Sequence, residues 1–209
     1  MSEFMQPGQA ISGGGGHIKE ALKTIITPEF RVSFPCVLRK GKPMSGNPED
    51  AKFSLVMLFA LGANLQNLVE EMLRAIVDEF GPDKTKWPTL KNPFRDQKEK
   101  TFAGYVPGAI FITATSKNPP GLVDADVHKI IDESKFYAGC YGIAEVRAFI
   151  YDVKGVKGVA FGLNNVQKTR DGEPLSGRLS PEEVFSPITP PAGAAGGSKP
   201  MTAADIFSH

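Results

Sequence analysis

A chain of 209 residues, 41% of them hydrophobic, suffices for one domain with appendages or two small domains. Twenty-four Lys and Arg stand against 23 Asp and Glu, and a formal charge of +1 excludes a protein held to nucleic acid by bulk attraction alone. The longest apolar run, Leu55 to Leu61, falls far short of the ~18 residues of a membrane span, and Met1 to Gly16 lacks the basic-then-apolar order of a secretory signal.

Residues 1–20 end their first part in four glycines and read as a flexible lead-in to a domain over 21–179. FRVSFPC (30–36) alternates Phe30, Val32 and Phe34 against Arg31 and Ser33, and Pro35 marks an edge or a bulge. After a polar loop, KFSLVMLFAL (52–61) predicts a strand buried on both sides in its middle. Asn64 is placed to cap a helix in which Leu65, Leu68, Val69, Met72, Leu73, Ile76 and Val77 recur at helical spacing, and Gly81-Pro82 ends it. Residues 82–107 form a long basic connection punctuated by prolines. GAIFITATSK (108–117), the stretch from Tyr141, and KGVAFGLNN (157–165) supply three more strands. Residues 180–209 are a Pro/Gly/Ala-rich tail with too little hydrophobicity to pack, expected to be flexible. Cys36 and Cys140 sit in strand-like apolar contexts and read as buried thiols of a reducing compartment, without zinc-ligand spacing. The prediction is a mainly β chain with one main helix: an OB-fold, a five-stranded Greek-key barrel with long loops.

The stretch FYAGCYGIAEVRAFIYDV carries the strongest functional hint. One face of the strand collects Gly142, Ala144, Val146, Ala148 and Ile150, and the other Tyr141, Ile143, Glu145, Arg147, Phe149 and Tyr151. Two readings fit. The second face is a platform on which unpaired bases stack on Tyr141, Phe149 and Tyr151 with Arg147 between them, or it packs beneath the helix or the long connection. The following segment adds Asn164, Asn165, Gln167, Lys168, Arg170 and Arg178, suited to phosphate and sugar, or alternatively a polar hairpin turning at Asp171-Gly172. The connection interleaves Lys84, Lys86, Lys91, Arg95, Lys98 and Lys100 with Trp87 and Phe94, which suits either a strand-tracking groove or a solvated loop anchored by its two aromatics. The charge over residues 1–179 supports only such local placement. Setting aside Glu182, Glu183, Asp205 and Lys199 leaves 23 basic and 20 acidic residues.

An enzymatic reading rests on Asp124, Asp126 and His128, which alternate and on an extended segment would point one way, as a divalent cation for phosphodiester hydrolysis would need. No further carboxylate at a recognisable spacing joins them, and no phosphate-binding glycine loop or nucleophile elbow is present. No catalytic residue, metal or cofactor is therefore assigned. A third reading is a structural or protein-interaction module that uses the aromatic face for protein contacts.

The blocks LKNPFRDQ, FITATSKNPPGLVD, KFYAGCYG and GLNNVQKTRDGEPLSGR, in this order between about Thr27 and Arg178, resemble the phage-encoded OB-fold single-stranded DNA-binding proteins. The resemblance implies a non-catalytic barrel that coats single-stranded DNA in phage replication, recombination and repair, in the cytoplasm of the infected host. The positions it carries over are Arg95, Lys117, Phe136, Tyr137, Tyr141, Asn165, Lys168 and Arg170; Lys91, Arg147, Phe149 and Tyr151 join them on the chemistry above. Such proteins often end in an acidic tail with a terminal aromatic that recruits replication proteins. The nearly uncharged tail here, in which Phe207 is followed by Ser208 and His209, argues against that partnership.

Overall fold

Alternating runs such as FRVSFPC form strands throughout the computed structural model, which describes residues 24–43, 45–175 and 186. The chain divides into two compact units, Met1–Ser176 and Gly177–His209. The barrel lies in the first. The segments expected to be flexible, 1–20 and 180–209, lie outside the described residues apart from Ser186, as does Arg178.

The strands are β1 (Ile25–Ile26), β2 (Phe30–Cys36), β3 (Phe53–Leu58), β4 (Arg95–Asp96), β5 (Ile110–Ser116), β6 (Gly121–Val123), β7 (Tyr141–Val153) and β8 (Val156–Arg170), and the helix α1 is Gln66–Phe80. β2 pairs antiparallel with β3, and β3 with β5. β5 then runs parallel to β8, β8 antiparallel to β7, and β7 returns antiparallel to β2. Five strands therefore close on themselves with one parallel pair, the connectivity of the OB barrel. The short strands β1, β4 and β6 attach to β7, β5 and β8.

The small inward face of β7 lets this ring close tightly. Ala144, Val146 and Ala148 are buried against Phe30, Leu55, Ile112, Phe161 and other core side chains. β7 and β8 meet through a two-residue turn, Lys154-Gly155, with φ of 52° and 81°, the left-handed pair that a tight hairpin requires. β8 reaches Arg170, past the predicted end at Asn165, because its register against β7 shifts twice: Glu145 faces Asn165 while Val146 faces Leu163, and Tyr141 faces Arg170 while Gly142 faces Lys168. Each extra residue bends the strand, so one long ribbon follows the barrel wall. Gln167, Lys168 and Arg170 are strand residues, and no hairpin turns at Asp171-Gly172.

The helix stripe is narrower than predicted. Leu68, Ala75 and Ile76 are buried, while Leu73 and Val77 are exposed, because a carboxylate occupies part of the inner face. Buried Glu71 accepts the Ala148 backbone N–H at 2.9 Å, and the Arg74 Nε and Nη2 groups donate to its two oxygens at 2.7 Å each. β1 satisfies the β7 edge as far as Val146, and Glu71 takes over one step further on. The N-cap residue is Leu65; Asn64, just before it, accepts the Gln66 N–H at 3.0 Å. Gly81 ends the helix with a φ of 81°.

Replacing Glu71 with Ala strands the Ala148 donor and leaves the Arg74 guanidinium with Asp78 alone. We expect Glu71→Ala to destabilise the domain by about 3 kcal/mol, the lower end for breaking a buried pair, read as a shift in the urea midpoint at constant slope.

Candidate functional site

Two clusters arise where sequence predicted one surface. They occupy opposite ends of β7, with Tyr141 and Tyr151 separated by ten residues of strand, on the order of 30 Å.

The first cluster is a clamp at the start of β7. Arg170 lies 3.4 Å from the centre of the Tyr141 ring and donates to Glu29 at 2.8 Å, while Arg31 donates to the carbonyls of Gly139 and Glu173. Lys168, its side chain 14% exposed, pairs with Asp171 at 2.6 Å and sits over the Tyr137 ring. Tyr137 donates its hydroxyl to Asp171 at 3.0 Å and to the Gly172 carbonyl at 2.9 Å. Phe136 is 4% exposed and belongs to the core, so it has no free face for a base. Asn165 donates to Glu145, which also accepts from the Thr24 hydroxyl at 2.6 Å. Phe136, Tyr137, Tyr141, Asn165, Lys168 and Arg170 are thus engaged within the fold. Gly139 is needed here: its φ is 118°, and a side chain would run into the Glu173 carbonyl.

The second cluster is open. The far half of β7 carries Arg147, Phe149 and Tyr151 on its outer face, across from Gly162, Ala160 and Gly158 of β8. These small partners make room. A Cβ on Gly158 would fall 2.5 Å from the Tyr151 hydroxyl and 2.9 Å from Lys91, and Gly162 lies beneath the edge of the Phe149 ring. Phe149 is 42% exposed. Backbone bonds from Lys91 N to the Lys157 carbonyl and from Val159 N to the Lys91 carbonyl stitch the long connection onto β8 and place Lys91 beside Tyr151. Phe94 packs edge-on against Phe161, and Trp87 donates to the Gly81 carbonyl at 2.8 Å, so both aromatics anchor the connection, and Phe94 also lines the groove below.

The result is a groove in two parts. One, about 620 Å³, is lined by Lys91, Phe94, Arg95, Glu99, Thr113 and Tyr151, among others; the second, about 300 Å³, by Lys52, Thr115, Lys117, Phe149 and Asn164, among others. Sequence reasoning missed Lys52 and the threonine floor of β5. The register gives Lys52 its place: Phe53 pairs with Ser116, which brings Lys52 alongside Lys117.

Charge separates the clusters more sharply than shape. Among the described residues, Lys52, Lys91, Lys117 and Arg147 make no ion pair. Arg147 Nε is the one buried side-chain nitrogen or oxygen among them that lacks a hydrogen-bond partner. Arg95 is paired with Glu99 and lies 5.0 Å over the Phe111 ring. Such a groove, with cations unneutralised, a threonine floor, one exposed ring and one half-buried ring, suits a flexible polyanion that also presents flat apolar faces.

Asp124, Asp126 and His128 do converge, with a potential ligand atom of each within 4.8 Å of the others. They do so on a turn after β6, where an extended segment was expected. The Asp124 carboxylate accepts the backbone N–H groups of Asp126 and His128, at 3.0 and 2.9 Å. None of the three lines the groove. Cys36 and Cys140 are both free thiols, and burial pushes Cys140 up from its usual pKa. No helix among the described residues is long and apolar enough to cross a membrane.

The model of one protein family, described as Enterobacter phage Enc34, ssDNA-binding protein, matches residues 23–194. Protein p50 of Acyrthosiphon pisum secondary endosymbiont phage 1 is 34% identical over 131 residues, which cover 57% of this chain and 70% of p50. Among solved structures, the single-stranded DNA-binding protein of bacteriophage Enc34 in complex with ssDNA superposes with a TM-score of 0.58 at 18% identity, over 73% of this chain and 89% of the other. The single-stranded DNA-binding protein gp2.5 of bacteriophage T7 gives 0.52 at 11% identity, over 75% and 97%. At these identities the superpositions establish the shared barrel fold.

The clamp has an acid signature. The Arg170 guanidinium holds Glu29 below its ordinary carboxylate value, and the Lys168 ammonium does the same for Asp171. Depressed acids stabilise the fold fully above their unfolded values of about 4, and that contribution disappears as pH falls through the lower folded values. The paired variant Glu29→Gln with Asp171→Asn is expected to flatten the loss of melting temperature below about pH 4 relative to the parent chain, measured by thermal unfolding from neutral to acid pH.

Proposed function

We propose that this chain, which belongs to the family of the Enterobacter phage Enc34 ssDNA-binding protein, binds single-stranded DNA in the groove between the β3–β5 wall and the outer half of β7. The observation that carries this reading is the contrast in charge: at the clamp Lys168 and Arg170 are neutralised by acids of the fold and Arg31 is taken up by backbone carbonyls, whereas Lys52, Lys91, Lys117 and Arg147 are left for a ligand. Phosphates take the place of the missing acids. Phe149 and Tyr151 offer π-faces to successive bases, worth about 1–3 kcal/mol per base and indifferent to sequence. Arg147, on the same outer face of β7 two residues before Phe149, acts as a phosphate contact or a cation on a stacked base. The threonine hydroxyls of β5 suit sugar and phosphate oxygens and read no bases.

In this assignment Lys168, Arg170, Tyr137 and Tyr141 hold the barrel end together, and DNA leaves them alone. The work performed is binding and protection of exposed strands during phage DNA replication, recombination and repair in the host cytoplasm, with no covalent step. The Asp124 cluster takes no part in it.

Four unpaired cations with Arg95 give about four or five phosphate contacts, so log K should fall against log salt with a slope of about −3 for oligo-dT. Fluorescence anisotropy between 50 and 200 mM salt (about the useful range for such a slope) measures it, with matched duplex and RNA as competitors. Arg147→Ala with Tyr151→Ala should weaken binding at least tenfold, whereas Lys168→Ala with Arg170→Ala should change affinity less than about twofold once folding is verified. Equal losses from both pairs would sink the assignment of the groove. Gly158→Ala, which pushes the Tyr151 ring off its seat, should weaken binding with little loss of secondary structure.

A further inference from the structure

A second group of exposed aromatics lies where the groove ends. Phe34 is 52% exposed and Phe102 49% exposed, with ring centres 5.2 Å apart and edge to face. Phe102 meets Tyr105 at 5.7 Å, Tyr105 meets Phe111 at 5.9 Å, and Phe111 carries Arg95 of the groove on its face at 5.0 Å. The chain of rings is therefore continuous with the groove wall. Tyr105 is fixed in turn by its hydroxyl, 3.3 Å from that of Ser33.

Phe34 is expensive for the fold. Its φ is +44°, a left-handed value that costs a bulky residue of order 1–3 kcal/mol, and it sits where the β2–β3 register slips between Ser33 and Cys36. Folding alone would favour glycine there. The strained backbone instead holds a large apolar ring out in water beside a second one. Both rings sit at the mouth of the loop joining β2 to β3, the loop that in OB barrels flanks the nucleic-acid face.

We propose that Phe34 and Phe102 form a second stacking station, at which bases of the same single strand lodge after it passes Arg95. This rests on the groove being the DNA-binding site. The occupant is a nucleobase because the patch runs through Arg95 into the groove that unpaired Lys91 lines, and its own rings carry no charge, so it suits flat apolar rings tethered to a polyanion held next door. A strand long enough to reach both sites gains from the two rings; a strand filling the groove alone does not.

The test is an oligo-dT series from about 4 to 16 nucleotides, the span of OB site sizes, titrated against the full chain, Phe34→Gly, Phe102→Leu and the groove variant Arg147→Ala/Tyr151→Ala. Phe34→Gly removes the ring and relieves the backbone, so its melting temperature should hold or rise. Phe102→Leu keeps apolar bulk and loses the π-face, and it keeps the test decisive if Phe34→Gly folds poorly. For the longest oligomers Phe34→Gly and Phe102→Leu should each lose at least fivefold in affinity, with the shortest unchanged; crosslinking of 5-iodouracil oligomers should map to Phe34 or Phe102. Unchanged affinity at every length, with the groove variant still impaired, overturns the second station and leaves the groove standing. If the groove variant is also unimpaired, the groove reading itself fails. Loss of self-association or of a protein contact in Phe34→Gly, with DNA affinity intact at all lengths, assigns the patch to protein and overturns the proposal.

Discussion

Pairing of β7 with β8 is the constraint on which the rest depends. It runs from Tyr141 opposite Arg170 to Val153 opposite Val156, and its two strands complete the ring on either side, β7 against β2 and β8 against β5. Small residues on the inner face of β7 keep the barrel narrow, and glycines of β8 seat the outer aromatics. Closure and groove are thus made by the same ladder, read from its two faces. The cost of exposing the β7 edge beyond β1 is met by a single carboxylate from the helix, which ties α1 to the half of β7 that carries Arg147 and Phe149.

The two ends of that ladder are chemically unlike, though their compositions are similar. Both have tyrosines and cations. At the Tyr141 end each cation has a carboxylate or carbonyl in reach, and Tyr141 is roofed by Arg170. At the Tyr151 end one acid lines the groove, Glu99, and Arg95 already holds it. Exposed ion pairs contribute little to stability individually, but the Arg170–Glu29 pair, with the Arg31 bonds to the Gly139 and Glu173 carbonyls, binds distant segments into one unit. A field left unneutralised at only one end explains how a chain of formal charge +1 presents a basic surface at all.

Much of this was legible in sequence, and the losses have physical causes. The five ring strands, the helix and the alternation on β7 follow from periodicities that burial imposes directly, as does the exposure of Phe149. β1, β4 and β6 are two or three residues long, too short to carry any period, and exist because longer neighbours offer an edge. The extension of β8 through Gln167–Arg170 was read as a loop because bulges at the two register shifts break strict alternation. Arg170 looked available because its neutralising partner, Glu29, lies 141 residues away, and Lys168 because Asp171, three residues on, read as part of a turn. Phe136 follows a polar turn and gives no local sign that it points inward. Lys52 belongs to the groove only through the β3–β5 register, which no spacing rule reveals. Leu73 and Val77 were counted into the helix core because a buried glutamate on that face breaks the usual apolar rule.

Ring closure also sets an order of events during synthesis. The contacts that turn an open β2–β3–β5 meander into a barrel join residues far apart in the chain, Phe30 to Gly142 and Ala114 to Phe161 among them. Such non-local pairings carry the loop-closure entropy of folding and make it slow. Until β8 has left the ribosome, the wall bearing Thr113 and Thr115 faces no opposite wall, and neither Phe149 nor Tyr151 has its glycine seat. The groove is therefore absent through most of translation and comes into being in one step with β8.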